Sequence, residues 1–348
     1  MTKVRLRFEG KAQTTAMPRG IARICNAAIG SKARFRVSKS LGRCTSIHAM
    51  ELSQVTAAGP AVAGTGESPL WHVGEQCLYY VDIPAQEVLR LDPASGDLKR
   101  WHMDSELGCI ALREGGGLLV AQRSGLWSFD PVTGAQHKLA EPPYDPAQQR
   151  FNDGKPDATG RLWIGTIDDA RRPDAGLYRY VNGAFELAAD GISNSNGAAW
   201  SPSGDRMYWS DTKAHEIYVM DFDAATGRIG ARRSFARFSP RAEGQPIDQY
   251  GGRPDGAAVD VEGCYWVAMY EGQRLLRLSP SGEVLHELRL PARCPTMPTF
   301  GGADLRTLYI TTASKGRPAE ELAAQALAGC VLQVRVEVPG LPACIARV

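Results

Sequence analysis

The stretch LYYVD, residues 78–82, is a short run of aromatic and β-branched residues that predicts a buried β-strand. Five similar runs follow it: LLVAQ at 118, LWIGT at 162, MYWSD at 207, YWVAM at 265 and LYITT at 308. Successive runs are 40, 44, 45, 58 and 43 residues apart, and each follows a turn signal such as VGEQ, EGGG or ATGR. A repeat of this period is typical of a β-propeller, in which each repeat builds one blade.

A second set of apolar runs follows the first at short distance and predicts a third strand in each repeat. These runs are VLRLD at 88, LWSFD at 126, LYRY at 177, IYVMD at 217, LLRLS at 275 and VLQVRV at 331. Turns such as DPASGD and SPSGE then lead to a fourth strand, as in DLKRWHM and EVLHELRL. The sequence therefore predicts an all-β fold, a six-bladed β-propeller of four-stranded antiparallel blades around a central channel. A β-sandwich is the alternative, but it does not predict so even a repeat.

The ends of the repeat region predict how the ring closes. The last unit ends near Val338, and residues 51–58, before the first unit, are expected to supply its missing strand and remove an exposed edge. The segment ELAAQALAG, residues 321–329, predicts a helix inserted between two strands of the last unit. Residues 50–348 are thus predicted to form a single propeller domain.

Residues 1–49 differ from the rest in composition, with eleven Lys or Arg against one acid, Glu9. They lack the apolar core of a signal peptide and are predicted to be a disordered or non-native extension without function. From Met50 onward 29 basic residues face 37 acidic ones, which argues against nucleic acid as the main partner. The sequence contains no apolar run of about 18 residues or more, so no membrane span is predicted.

Eight cysteines are scattered without paired metal-ligand spacing, as expected for free, mostly buried thiols. Such thiols predict a reducing compartment, the cytoplasm. The chain is expected to act on a small molecule as a monomer or weak homo-oligomer.

Four of the six predicted inner strands begin with an oxygen-bearing side chain. These are Glu67 in TGESPLW, Asn152 in RFNDGK, Asn196 in SNSNGAAW and Asp255 in GGRPDGAAV. They lie 13, 12, 13 and 12 positions before the middle of the next strand, at Tyr80, Ile164, Trp209 and Val267. This spacing predicts that the four side chains lie at one level of the central channel.

Carboxylate and amide oxygens without His or Cys predict a hard divalent cation, such as calcium, magnesium or manganese, with zinc as a further option. The alternative is that Asn-Gly and Pro-Asp-Gly are ordinary turns. Because four such motifs occupy matched positions, the interpretation as metal ligands is favoured over that as turns.

The motifs GESPLW, RFNDGK followed by LWIGT, SNG followed by W-S-P, PDG, and the late FGG before LYITT together resemble the SMP-30/gluconolactonase/regucalcin family of six-bladed propeller lactonases. The resemblance spans about residues 66–338. It implies one divalent metal, calcium first, held by Glu67, Asn196 and Asp255. It also implies that Arg150 and Asn152 hold a sugar lactone, with Asn152 near the metal.

One family position differs in this chain. Animal members carry acidic residues after the hairpin strand of the third unit, where this sequence reads GTIDDARRPD. Asp168 or Asp169 is expected to take that substrate-binding role with a shorter reach.

The resemblance implies a hydrolase that opens aldonolactones, such as gluconolactone or a pentonolactone, to the aldonic acids. Asp255 is then both a metal ligand and the candidate general base, while the metal is expected to contribute more than the proton transfer does. Two alternatives stay open: a non-catalytic propeller that binds calcium or a protein, and a paraoxonase-like esterase.

Overall fold

The computed structural model describes residues 54–60 and 62–348. The predicted extension, residues 1–49, and the proposed domain boundary at residue 50 lie outside the described residues. The described strands form six small sheets, built in chain order.

The N-terminal strand and the first three blades have the following bounds. The strand before the blades is β1 (Thr56–Ala57). Blade one contains β2 (Gly66–His72), β3 (Cys77–Asp82), β4 (Glu87–Leu91) and β5 (Leu98–His102). Blade two contains β6 (Leu107–Arg113), β7 (Leu118–Gln122), β8 (Gly125–Phe129) and β9 (Gln136–Ala140). Blade three contains β10 (Gln149–Pro156), β11 (Leu162–Asp168), β12 (Ala175–Val181) and β13 (Ala184–Ile192).

The remaining blades follow the same pattern. Blade four contains β14 (Ser195–Trp200), β15 (Arg206–Asp211), β16 (Glu216–Asp223) and an outer strand in two pieces, β17 (Arg228–Ile229) and β18 (Arg233–Arg237). Blade five contains β19 (Arg253–Val259), β20 (Tyr265–Tyr270), β21 (Arg274–Leu278) and β22 (Val284–Arg289). Blade six contains β23 (Pro295–Gly301), β24 (Thr307–Thr312) and β25 (Leu332–Arg335). The six-bladed propeller is confirmed, and the β-sandwich alternative is wrong.

The ring closes as the sequence predicts, because β1 pairs with β25 and completes blade six. A short helix, α1 (Ala319–Ala324), is inserted between β24 and β25, beginning two residues before the predicted segment. A 3-10 helix, Ile247–Gln249, precedes β19. The structure adds one strand that the sequence analysis did not predict, β26 (Ile345–Ala346), which pairs in parallel with β6. No helix in the described residues is long and apolar enough to cross a membrane.

The core consists of six apolar clusters, each between two neighbouring blades. Trp71 of blade one stacks on Tyr309 of blade six with ring centroids 5.4 Å apart. Trp163 of blade three packs against Trp200 and Phe222 of blade four. Burying one large apolar side chain contributes about 1.5–3 kcal/mol, so the recurring aromatic residues hold blade to blade. This is why the aromatic runs repeat with the period of the blades.

Candidate functional site

The first strands of the six blades contact one another in a closed ring, so that they form the wall of the channel. The predicted channel residues lie within these strands, and a one-residue β-bulge occurs beside each of them. The pairing shifts register between Glu67 and Leu70, Phe151 and Gly154, Asn196 and Ala199, and Pro254 and Ala257. A bulge bends the strand and re-aims its side chains. The alternative that SNG and PDG are ordinary turns is therefore wrong.

The glycines of these motifs are required by the neighbouring blade. Gly197 has φ +63°, and a Cβ on it would overlap the hydroxyl of Tyr265, which donates a hydrogen bond to the Gly197 carbonyl at 2.8 Å. A Cβ on Gly256 would come within 2.5 Å of the Met297 side chain. The ring of first strands is thus so tight that the residue after Asn196 and the residue after Asp255 have no room for a side chain.

Blades three and four are joined at the channel by a pair of amides. Asn152 Nδ2 donates to Asn196 Oδ1 at 2.8 Å and shares its two hydrogens with the Ser195 carbonyl, at 2.9 Å, and Asn194 Oδ1, at 3.0 Å. Asn152 Oδ1 accepts a hydrogen bond from Arg150 Nη1 at 2.9 Å. Asn196 Nδ2 donates to Thr212 Oγ1 at 2.7 Å, which leaves Asn196 Oδ1 with capacity for a further partner. In this arrangement Asn152 orients Asn196.

Carboxylates from three different blades lie beside this amide pair: Asp153 and Asp255, which are buried, and Glu67, which is half-buried. Burial raises the pKa of Glu67 well above its usual value, and the negative charges of Asp255 and Asp153 raise it further. Burial also raises the pKa of Asp255 to about 8; the charges of Arg253 and Arg150 oppose this rise, and the charge of Asp153 adds to it. The charge of Arg150 also opposes the rise in the pKa of Glu67. Glu67, Arg150 and Asp255 therefore share one site with Asn152 and Asn196.

Only one of the two oxygens of the buried Asp153 carboxylate has a hydrogen-bond partner among the described residues. Its Oδ2 accepts a hydrogen bond from the Ala198 backbone N–H at 3.1 Å, whereas its buried Oδ1 has no hydrogen-bond partner in the described part of the chain. Burial raises the pKa of Asp153, and the nearby Lys155 opposes this shift.

Lys155 is a functional candidate that the sequence analysis missed. Its ammonium group donates to the Ala257 carbonyl, and burial lowers its pKa while Asp153 and Glu67 oppose that shift. The motif NDGK contained the signal, because it places a cation two residues after Asp153 on the first strand of a blade.

Arg150 is half-buried and makes few contacts with its guanidinium. One nitrogen, Nη1, donates to Asn152 Oδ1 and to the Phe151 carbonyl, the latter at 2.8 Å. Burial lowers the pKa of Arg150, and the positive charges of Arg123 and Arg171 add to that shift. The remaining nitrogens of the fork form no hydrogen bond with any described residue, so they are available to a ligand.

Asp168 and Asp169 lie at the end of β11, beside Arg150, and each is held in an ion pair. The buried Asp168 accepts from Arg172 Nη2 at 2.7 Å, which lowers the pKa of Asp168. Asp169 accepts from two nitrogens of Arg123, at 2.9 and 3.2 Å. Their predicted contact with substrate stays a prediction, since each would have to exchange an arginine for it.

The position of Asp168 has structural counterparts in two other blades. Asp82 accepts hydrogen bonds from the backbone N–H groups of Gly64 and Thr65, just before β2. Asp211 does the same with Ser193 and Asn194, just before β14. In blade three, the residue at the end of the second strand instead fixes the loop that contains Arg172.

The predicted metal ligands fit a hard divalent cation. Within the described ranges no group of three or more His, Cys, Asp or Glu side chains is placed to hold a metal, and the predicted set differs in combining two carboxylates with amide oxygens. No described residue donates a hydrogen bond to the Asp255 carboxylate, and Glu67 accepts one, from the Ser68 N–H at 3.1 Å. Carboxylate and amide oxygens with so few hydrogen-bond donors suit calcium, magnesium or manganese.

Comparison with known proteins gives a consistent result. The model of the "SMP-30/Gluconolactonase/LRE-like region" matches residues 65–314. A 6-deoxy-6-sulfogluconolactonase of Pseudomonas putida is 46% identical over 279 residues, which cover 79% of this chain and 92% of that protein. Regucalcin of Danio rerio is 35% identical over 283 residues, which cover 80% of this chain and 92% of that protein.

Among solved structures, a calcium-binding protein, regucalcin, from Agrobacterium tumefaciens superimposes with a TM-score of 0.77 at 26% identity. The superposition covers 84% of this chain and 97% of that chain.

Proposed function

The chain belongs to the SMP-30/gluconolactonase/LRE-like family of sugar lactonases, and we propose that it hydrolyses an aldonolactone to the aldonic acid with the help of one divalent metal. One observation carries the proposal. Glu67, half-buried, and Asp255, buried on another blade, lie close enough for the charge of Asp255 to act on Glu67, beside the Asn152–Asn196 pair. Such a set is expensive to bury without a cation.

Glu67, Asp255 and Asn196 Oδ1 would hold the metal, calcium first, with magnesium, manganese and zinc as alternatives. When bound, the metal supplies polarisation of the lactone carbonyl and a lower pKa for a coordinated water. Asn152 keeps the Asn196 oxygen in place through the 2.8 Å hydrogen bond.

Asp255 is the proposed base in the reaction. Its carboxylate takes a proton from the attacking water as the new C–O bond forms at the carbonyl carbon. The proton then passes to the ring oxygen when the acyl C–O bond breaks, so lactone and water give the hydroxy acid without any further reactant. Because no described residue donates a hydrogen bond to it, the carboxylate is free to accept that proton.

Arg150 and Asn152 are proposed to hold the sugar. The unused nitrogens of the Arg150 guanidinium form a planar fork, which suits two oxygens of a ring or carbonyl group better than an ammonium does. Asn152 accepts a hydrogen bond from one nitrogen of that fork at 2.9 Å, which holds the guanidinium beside the Asn152–Asn196 pair. Substrate is thereby placed next to Asp255.

The first substrates to test follow from the relatives. The Pseudomonas putida relative is named for a gluconolactone with a sulfonate in place of the 6-hydroxyl. We therefore propose the six-carbon aldonolactone, in its neutral and its 6-sulfo forms, as the first substrate to test. Calcium binding without turnover is the second candidate, because the Agrobacterium tumefaciens neighbour is described as a calcium-binding protein.

The compartment is proposed from the cysteines. Five of those described are buried free thiols: Cys77, Cys109, Cys264, Cys294 and Cys330. Free thiols persist in reducing compartments, so we propose the cytoplasm.

The test is proton release from five- and six-carbon aldonolactones by metal-stripped protein, with calcium, magnesium, manganese or zinc added back. We expect acid production above the spontaneous rate only with metal. Glu67→Gln, which keeps the side-chain shape and removes one ligand charge, is the matched variant, and we expect calcium to raise the melting temperature of the wild type but not of this variant.

Two results would overturn the proposal. Full lactone turnover in the presence of a chelator would show that the reaction does not depend on a metal. A calcium-dependent rise in melting temperature without turnover of any lactone would favour the binding protein, and turnover of aryl or phosphotriester substrates alone would favour the esterase.

A further inference from the structure

We infer that Arg171 binds an anionic group, a sulfonate or a phosphate ester, at the end of the lactone away from its carbonyl. The inference rests on the proposed function, because it assigns the substrate class of that same site. The positive charge of Arg171 has no partner among the described residues.

Arg171, like Arg150, has no carboxylate partner among the described residues. Three other arginines near the channel are neutralised by carboxylates: Arg172 by Asp168 and Asp174, Arg123 by Glu106 and Asp169, and Arg253 by Glu271. The guanidinium of Arg171 is exposed, and it forms no ion pair or hydrogen bond with any residue that the structure describes. Its charge is therefore available to a ligand.

The backbone of Arg171 is fixed on both sides. Its N–H donates to the Asp168 carbonyl at 2.9 Å, and its own carbonyl accepts from Lys213 Nζ of blade four at 2.7 Å. The residue has φ +60°, a left-handed conformation that Gln86 and His215 also adopt in the matching turns of blades one and four. This geometry presents the side chain from a defined position in the loop between β11 and β12.

That position is beside the candidate site. β10 and β11 pair Arg150 with Ile167, so the loop that contains Arg171 begins next to Arg150. The positive charge of Arg171 acts on both Arg150 and Asp255, opposing the rise in the pKa of Asp255. A ligand that contacts Asp255 and Arg150 is thus within reach of Arg171.

The charges of the site favour an anion once the metal is bound. Glu67, Asp153 and Asp255 carry three negative charges when ionised, and these are balanced by Lys155 and a divalent cation. Arg150 and Arg171 then remain as guanidiniums beside the site that have no carboxylate partner among the described residues, and their charges repel each other. A sulfonate or phosphate removes that repulsion, and its oxygens match the donor geometry of a guanidinium.

The experiment compares kcat and KM for gluconolactone with those for its 6-sulfo and 6-phospho forms, in wild type, Arg171→Gln and Arg171→Lys. The matched control is Arg228→Gln, which removes an exposed arginine on the outer strand β17. We expect Arg171→Gln to raise KM for the charged lactones about tenfold or more and to leave KM for gluconolactone within about twofold. Arg171→Lys should recover part of the loss, and Arg228→Gln should change neither.

A binding measurement makes the test independent of turnover. Calorimetry on the calcium-loaded protein compares 1,5-anhydroglucitol with its 6-phosphate and 6-sulfonate, which have a sugar ring but no lactone carbonyl. We expect a charged form to bind about tenfold more tightly than the neutral one, with this preference lost in Arg171→Gln. Preference for one of the two anions identifies which is recognised.

The outcomes separate this inference from the proposed function. Turnover of gluconolactone with no preference for charged lactones, or a preference that Arg171→Gln leaves intact, overturns the role of Arg171 and leaves the lactonase standing. Tighter binding of the charged sugars without turnover of any lactone supports the anion site and overturns the lactonase.

Discussion

Asp255 lies near the start of β19 and Asp260 directly follows its last residue, and both are buried, yet their surroundings are opposite. The Asp260 carboxylate accepts four hydrogen bonds. They come from the Glu262 and Cys264 backbone N–H groups at 3.0 and 2.9 Å, Trp266 Nε1 at 2.9 Å and Arg277 Nε at 2.8 Å. The Asp255 carboxylate accepts none from the described residues, and its pKa is raised by burial.

The comparison separates two uses of the same residue type. A buried charge is expensive unless it is paired and hydrogen-bonded, so Asp260 is explained by the fold alone. Asp255 is not explained in this way, and a buried carboxylate without donors in a channel indicates a ligand or a reaction. Burial alone therefore does not distinguish a structural aspartate from a functional one, whereas its hydrogen bonds do.

The largest effect that tests this distinction is expected for Asp255→Asn. Removing the proposed base and metal ligand should lower kcat for the best lactone by about 10³-fold, or about 4 kcal/mol in barrier. The melting temperature of the metal-free protein should stay the same or rise, because the substitution breaks no hydrogen bond among the described residues and removes a carboxyl group whose ionisation burial disfavours. Steady-state kinetics and calorimetry check the two parts. A kcat within about tenfold of wild type would show that Asp255 is not the base.

The matching substitution at the other end of β19, Asp260→Asn, should have the reverse effect. It leaves the buried Arg277 with a single carboxylate partner, the exposed Glu262, at 2.8 Å. We expect a loss of about 3 kcal/mol in the free energy of unfolding, at the low end for a broken buried ion pair, because Glu262 remains. Activity per folded molecule should be unchanged. Denaturant unfolding with kinetics on the folded fraction measures both, and a fall in kcat without loss of stability would contradict the comparison.

The two ends of β19 also show what the sequence alone could predict. GGRPDG marked Asp255 because three other motifs place an oxygen at a matched position, and the propeller followed from the repeat of the aromatic runs. The partners of Asp260 lie in other strands or across a turn, and their contacts depend on register. The same holds for the bulges, for β26, and for the pairing of Asp168 with Arg172 that leaves Arg171 without an acid. A single sequence does not specify which charges meet across loops.

The smallest effect concerns the two arginines that accompany these aspartates. Arg277 is buried and bound to Asp260, whereas Arg150 uses one nitrogen, on Asn152 and the Phe151 carbonyl. Arg150→Ala should raise KM about tenfold, or about 1.4 kcal/mol, and keep kcat within about threefold, since it removes a substrate contact but not the base.

The fold should tolerate Arg150→Ala, because Asn152 keeps its hydrogen bonds to the start of β14. Arg277→Ala, the control, should instead lower the melting temperature and leave KM unchanged. Kinetics and thermal unfolding on both variants separate the two roles. If Arg150→Ala lowered kcat as much as kcat/KM, with KM unchanged, Arg150 would act on the transition state rather than on the bound sugar. In that case Arg150, which lacks a carboxylate partner among the described residues, would take part in the chemistry, whereas Arg277 would have a structural role only.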